Sequence, residues 1–233
     1  MRLSMEANYN RYLRSLGDLM SSVKEEGFLP LFRNGVRGFS VEERTSPAGW
    51  WSGIDEIDPW EWRRLAARST EVAYGKFFDS RAGFISTEWF PVFANWKRDG
   101  YDFDALFEDG KATMRQKKIM DLFMDGRELF SFEAKRRAGF GKDGERNFEG
   151  TVTSLEKTSY LVIRDFRRRV NKKGGEYGWH IAVLTAPESI WGYETVTSDY
   201  AEDPRDSRQR IIDHISGIYP DADEHDILAV LGD

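Results

Sequence analysis

Residues 144–187 read GERNFEGTVTSLEKTSYLVIRDFRRRVNKKGGEYGWHIAVLTAP, and the change of period within this run decides the fold. In its first part, steps of 100° gather Phe148, Val152 and Leu155 on one side. Arg146, Gly150, Thr153 and Lys157 fall opposite, with Asn147 and Ser154 beside them. This spacing predicts a helix over residues 144–158. An apolar strand over 160–166 follows, and Arg167-Arg168-Arg169 and Lys172-Lys173 crowd its tip. Gly174-Gly175 turns the chain, and Trp179, Ile181 and Val183 alternate on the return strand. Upstream, Ile119, Leu122 and Phe123 face inward on a helix predicted over 113–125. A shorter one opens at Ser131 and carries Lys135-Arg136-Arg137 before Gly139. Three helices and then a basic ribbon is the layout of a winged helix-turn-helix, in which one helix enters a groove and the hairpin grips the backbone. The chain is therefore predicted to be α+β, mainly helical. An aromatic-rich α/β N-terminal region would span 1–110, a winged helix-turn-helix 111–187, and acidic helices 188–233.

The residue types on this unit point to nucleic acid. Arg146 and Asn147 can pair with base edges, whereas Thr153 and Lys157 suit phosphates. Lys135, Arg136, Arg137, Arg167, Arg168, Arg169, Lys172 and Lys173 repel one another until a polyanion relieves them, with counterion release as the driving force. Residues 111–173 hold 17 Lys/Arg against 9 Asp/Glu, a balance of +8, while the rest of the chain carries −14, so that the net charge is −6. Charge segregated in this way says more than the total. The expected partner is double-stranded DNA, damaged or distorted. A solvated loop tip is the alternative for the hairpin, and Glu145, Glu149 and Glu156 dilute the charge of the third helix.

Working outward, an amphipathic helix is expected over residues 6–25, with Tyr9, Tyr12, Leu13, Leu16, Leu19, Met20 and Val23 on one stripe. Gly27-Phe28-Leu29-Pro30-Leu31-Phe32 is a short apolar segment. Asp58, Pro59 and Glu61 announce a capped helix. Residues 71–85 read as a strand or hairpin, and Ser86 as the cap of a helix through Trp89, Phe93 and Trp96. Six of the eight tryptophans lie between positions 50 and 96, either as core or as the wall of a pocket that stacks a base. Asp99, Asp102, Asp104, Glu108 and Asp109 read as a solvated acidic link, and residues 188–203 as a polar connector. Helices are expected over 204–218 and within 221–233. The chain has no cysteine, and its three histidines are scattered. Thiol chemistry is thus excluded, neither a metal site nor a cofactor is expected, and a reducing cytoplasm fits. No apolar run is long enough for a membrane helix.

Several of these motifs resemble a known family. GFLPLF followed by VRGFSVEERTSPAGWWSG is similar to the N-terminal region of the AlkZ/YcaQ-like DNA glycosylases, and AYGKFFDSRAGFISTEWFPVF resembles their aromatic block. GFLP, WEW, YGKFF, AGF, EWFP, RDGYDFDA and YGW resemble more closely the short proteins described as AlkZ-related. In the glycosylases a glutamine-hydrophobic-glutamine or -aspartate motif handles the hydrolytic water. The resemblance places Pro30, Leu31 and Phe32 there, and Ser80 near the position of the family's histidine. None of the three motif residues can take a proton or orient water. The resemblance thus implies a DNA-binding relative of repair glycosylases without that chemistry. Alternatives are an active N-glycosylase using other carboxylates (Glu42, Glu43 and Glu88 lie in the right neighbourhood), a transcriptional regulator, and a winged helix that binds protein.

Overall fold

The computed structural model describes residues 11–233. Its first helix, α1 (Leu16–Glu26), starts later than the stripe predicts because the Ser15 hydroxyl accepts the Asp18 N–H and caps it there. Tyr9 lies outside the described residues, Tyr12 is exposed, and Leu13 is buried ahead of the helix with its N–H donated to Arg44 O. The short apolar segment is strand β1 (Phe28–Pro30). It joins one edge of the hairpin made by β2 (Val72–Phe78) and β3 (Arg81–Ser86), giving an antiparallel sheet in the order β1-β3-β2. The two-residue turn is Asp79-Ser80, both with positive φ (44° and 67°), as a tight hairpin of matching twist requires. Gly75 and Gly83 instead pair across the strands.

Between β1 and β2, Asp58 caps α2 (Pro59–Ser69), with Pro59 in the first turn. After the sheet, α3 (Phe90–Arg98) begins at Trp89, and the Trp89 N–H donates to Ser86 Oγ. The acidic stretch is not a plain link: its Phe103 and the half-buried Leu106 and Phe107 fold as α4 (Phe103–Glu108) against the second core. Apolar contact there outweighs the charge pattern. Thr113 and Gln116 form a capping box for α5 (Met114–Met120), which ends before 121–125. Strand β4 (Leu129–Phe130) leads into α6 (Ser131–Arg137). Helix α7 (Phe148–Lys157) starts only after Asn147, whose left-handed backbone (φ 66°) breaks the longer helix that spacing predicts. Strands β5 (Val162–Val170) and β6 (Glu176–Thr185) make a long hairpin, completing a second antiparallel sheet in the order β4-β6-β5. The polar connector holds two single-turn helices, α8 (Glu188–Trp191) and α9 (Tyr193–Val196), before α10 (Pro204–Ile218) and α11 (Glu224–Leu231).

Three apolar clusters hold these elements together. One joins the first sheet and α3 to the last helices through Phe28, Phe77, Phe93, Ile211, Ile215 and Leu231. The second is the interior of the α5–α7 unit, around Ile119, Phe123, Phe148 and Leu155. The third packs α1 and α2 on the other face of the first sheet and takes in Phe166 from β5. The mixed α/β fold therefore has a seam where α2 and β2 meet α7 and the β5–β6 hairpin. Among the described residues, no helix is long and apolar enough to cross a membrane.

Candidate nucleic-acid cleft

Two cavities open along this seam and share Trp60 and Arg63 as a common wall. The outer one, about 650 Å³, lies between α2 with its preceding loop and the hairpin; Trp51, Asp58, Arg64, Arg168, Trp179 and His180 line it. The inner one, about 490 Å³, runs between the first sheet and α7, past Phe32, Tyr74, Lys76, Ser80, Phe148, Glu156 and Phe166.

The tryptophans divide between core and cleft. Trp62 and Trp50 are buried, and Trp89, Trp96 and Trp191 pack against the first cluster. Trp60 lines both cavities, and Trp51 is 68 % exposed at the mouth of the outer one. Trp179, on β6, is 91 % exposed, an unusual position for so large an apolar side chain.

Cations of the hairpin and of the α6–α7 turn split in a similar way. Arg136, Arg137, Arg146, Arg168, Lys172 and Lys173 are exposed and make no ion pair among the described residues. Arg169 rests on the Phe132 ring, 4.4 Å from its centroid. Arg167 is spoken for, since it pairs with Asp165 and Glu128, both at 2.7 Å. Lys135 sits 3.8 Å from Glu149. The predicted groove-reading face of α7 is partly covered: Lys76 donates to Thr153 Oγ1 at 2.9 Å, and Lys157 lies 3.4 Å from Asp79. Thr153 and Lys157 thus face the first sheet, a placement that follows from α7 packing on β2. Asn147 folds over Gly150, where an added Cβ would first meet its side chain.

The inner cavity contains the unexpected group. Glu156 is 1 % exposed and its Oε1 has no hydrogen-bond partner. Burial pushes its carboxyl up to about 7; Lys76, through its charge and a backbone hydrogen bond, opposes that rise, while Glu149 adds to it. Arg63, 8 % exposed, has its guanidinium sandwiched between the rings of Trp60 (3.7 Å) and Phe166 (3.9 Å). Its Nε is also without a partner, and burial lowers its pKa against the pull of Tyr74, to which it hydrogen bonds. Tyr74 is pushed up to about 12 by burial, a rise that Arg63 opposes and the Glu156 charge adds to. Sequence patterning misses both Arg63 and Glu156. Each sits on the buried side of an amphipathic helix, and a charged residue at an apolar position is the signal that could have found them.

Glu42, Glu43 and Glu88 lie elsewhere. Glu42 accepts the Arg33 N–H at 2.8 Å, Glu43 accepts the Ser40 hydroxyl at 2.7 Å, and Glu88 is exposed. None of them lines either cavity. Leu31 is buried in the third cluster, whereas Phe32 turns its ring toward the inner cavity, 6.0 Å from Trp50 and 6.5 Å from Trp60. Ser80 reaches the same cavity from the hairpin turn. No cluster of three metal-ligating side chains occurs among the described residues.

A family model described as AlkZ related matches residues 13–232. The chain belongs to the AlkZ-related family. The membership extends over both halves of the cleft and agrees with the resemblance read from GFLP, YGKFF and EWFP. Among solved structures, the Streptomyces sahachiroi DNA glycosylase AlkZ is similar at 14 % identity and a TM-score of 0.49. The match covers 92 % of this AlkZ-related chain and 55 % of that glycosylase, so the chain spans little more than half of its length. No curated protein matches significantly.

Proposed function

We propose that this AlkZ-related protein is a DNA-binding protein of DNA repair that holds damaged or distorted duplex between its basic hairpin and the tryptophan-lined end of α2. In this reading residues 111–187 act as a winged helix-turn-helix. The order of α5, β4, α6 and α7 followed by the β5–β6 hairpin supports it. The observation that carries the proposal is the unpaired, exposed Arg168 in the wall of the outer cavity beside the exposed Trp179, with the unpaired Lys172 and Lys173 exposed at the tip of the same hairpin. Solvated cations pointing at a groove favour a polyanion, and an aromatic face beside them favours bases. The glutamine-based water chemistry of the glycosylases has no counterpart at Pro30-Leu31-Phe32, of which only the half-buried phenylalanine lines the inner cavity.

Binding of the full chain to duplex DNA, followed by fluorescence anisotropy across salt concentrations, tests this. A steep fall of log affinity with log salt is expected. Replacing Arg168, Lys172 and Lys173 by alanine should flatten the slope by about 1 for each phosphate that is no longer neutralised. A flat response in the wild type would sink the proposal.

A further inference from the structure

We propose that a third cavity, separate from the seam, binds a small organic cation: an ammonium group carried on a compact aromatic or aliphatic body. About 460 Å³ in volume, it opens between the start of α4, the end of α5 and the α8–α9 connector. It shares no lining residue with the two cavities of the seam. Its wall is mainly apolar. Phe103, Phe123 and Tyr160 supply rings, Phe103 standing edge-on to Tyr160 with 5.3 Å between centroids, and Met120 and Met124 supply thioethers. Met124 is exposed, and a side chain of this kind adapts its shape to what it meets. An apolar space with few polar groups, within the roughly 300–1,000 Å³ range of small-ligand sites, suits a molecule with a body of its own.

The polar groups decide the sign of the ligand. Arg98, the one cation among the described residues of the wall, is buried and engaged. It donates to Glu188 Oε1 at 2.5 Å, to Ser159 O at 2.7 Å and to the Tyr200 hydroxyl at 3.2 Å, so an anion finds no free donor in it. Three carboxylates line the same space: Asp102, Asp104 and Glu188. Glu188 is occupied by Arg98. Asp104 has Lys117 at 3.7 Å, but Lys117 also pairs with Asp121. Asp102, half-buried, makes no ion pair among the described residues. It holds the N-cap position of α4, yet its side chain accepts no N–H of that helix and forgoes the stabilisation that such a cap ordinarily supplies. Instead it accepts the hydroxyl of Tyr193 at 2.9 Å, and the exposed Tyr193 lines the cavity as well. A carboxylate beside open rings, with no cation of its own, attracts an ammonium group and repels an anion.

This site and the DNA-binding reading stand or fall separately, so the test uses the full chain without DNA. Methionine labelled with carbon-13 at its methyl group reports Met120 and Met124 by NMR while 2-phenylethylammonium is titrated near neutral pH. Its neutral and anionic counterparts are 2-phenylethanol and 3-phenylpropionate. Expected are saturating shifts of both methyl resonances with the ammonium, binding of the alcohol weaker by about ten-fold, and no response to the carboxylate. Asp102→Asn keeps an acceptor for Tyr193. It should bind the ammonium no better than the wild type binds the alcohol, at an unchanged urea midpoint. Ser189→Phe puts a ring into the cavity from an exposed position and should abolish the shifts. Equal affinity for the alcohol and the ammonium, or an Asp102→Asn variant that binds as the wild type does, overturns the recognition of charge. Absence of any shift in the wild type, or shifts undiminished in Ser189→Phe, overturns the site.

Discussion

Glu156 is buried with one oxygen unpartnered, and its carboxyl titrates at about 7 against an ordinary value of 4.5. Between those two values the folded chain keeps a proton that the unfolded chain has released. Stability therefore falls as pH rises through that window and levels off above it, by on the order of 3 kcal/mol. Glu156→Gln removes the titration. It is expected to match the wild type near pH 4.5 and to exceed it at pH 8 by a few kcal/mol, on the same order as that loss. Urea unfolding at the two pH values checks this, and a pH-independent difference would show that the carboxyl is satisfied in some other way. A group that costs stability at neutral pH is what a binding site retains and a core discards. By contrast, Glu42 and Glu43 are tied to Arg33 and Ser40, and Glu88 is exposed. Their glutamine variants should bind duplex as the wild type does, within about two-fold, a change of less than 0.5 kcal/mol.

Two elements shape the cleft, and each makes an expectation of its own. On β3, Gly83 lies opposite Pro30 and Gly75, and a Cβ there would come within 2.8 Å of the Pro30 backbone as well as striking the Phe78 ring. The close approach holds β1 in register and so sets where Phe32 points. Gly83→Ala is expected to destabilise by about 1–3 kcal/mol, read as a lower urea midpoint; an unchanged midpoint would mean that the strands part freely. On β6, Trp179 touches little, so Trp179→Ala should leave stability within about 0.5 kcal/mol. Yet it should weaken duplex binding by roughly ten-fold, as loss of a stacking ring does. Equal binding by this variant would remove Trp179 from the interface. Elements of this kind were legible where local chemistry sets them. Asp58-Pro59 starts α2 and Asp203-Pro204 starts α10, and the β2–β3 hairpin shows in its aromatics. They were illegible where distant packing decides. Helix α4 hides in an acidic stretch because its apolar side finds the second core. Asn147 cuts α7 short through a backbone conformation that no periodicity shows. Glu156 read as dilution of a basic face, and only the packing of α7 on β2 buries it.

At the scale of the whole molecule, the cleft exists because two packed bodies meet along a seam, and the last helices belong to the body opposite the hairpin. Ile211, Ile215, Tyr219, Ile227 and Leu231 complete the cluster built on Phe28, Phe39, Phe77 and Phe93. The Tyr219 hydroxyl donates to Glu26 Oε2 at 2.6 Å, and Glu26 is paired with Arg44 at 2.7 Å, all three buried. This network ties α1, the turn after β1 and the end of α10 into one unit, although they are far apart in sequence. Removing one partner of such a pair leaves a buried charge uncompensated, which costs about 3–5 kcal/mol. Arg44→Met is therefore expected to be among the most destabilising single changes outside the apolar core. Truncation after Asp203 is the harsher form of the same experiment. It strips the apolar cover from Phe28, Phe39 and Phe93 and takes the Tyr219 donor from Glu26. The shortened chain is expected to lose its cooperative urea transition and to bind a hydrophobic dye. Exchanging the hairpin tip (residues 170–176) for a tight Asn-Gly turn removes only exposed residues, and should leave the transition intact while weakening DNA binding. If the truncated chain instead unfolds cooperatively at an unchanged midpoint, the last helices are an appendage, and the wall of the seam opposite the hairpin stands without them.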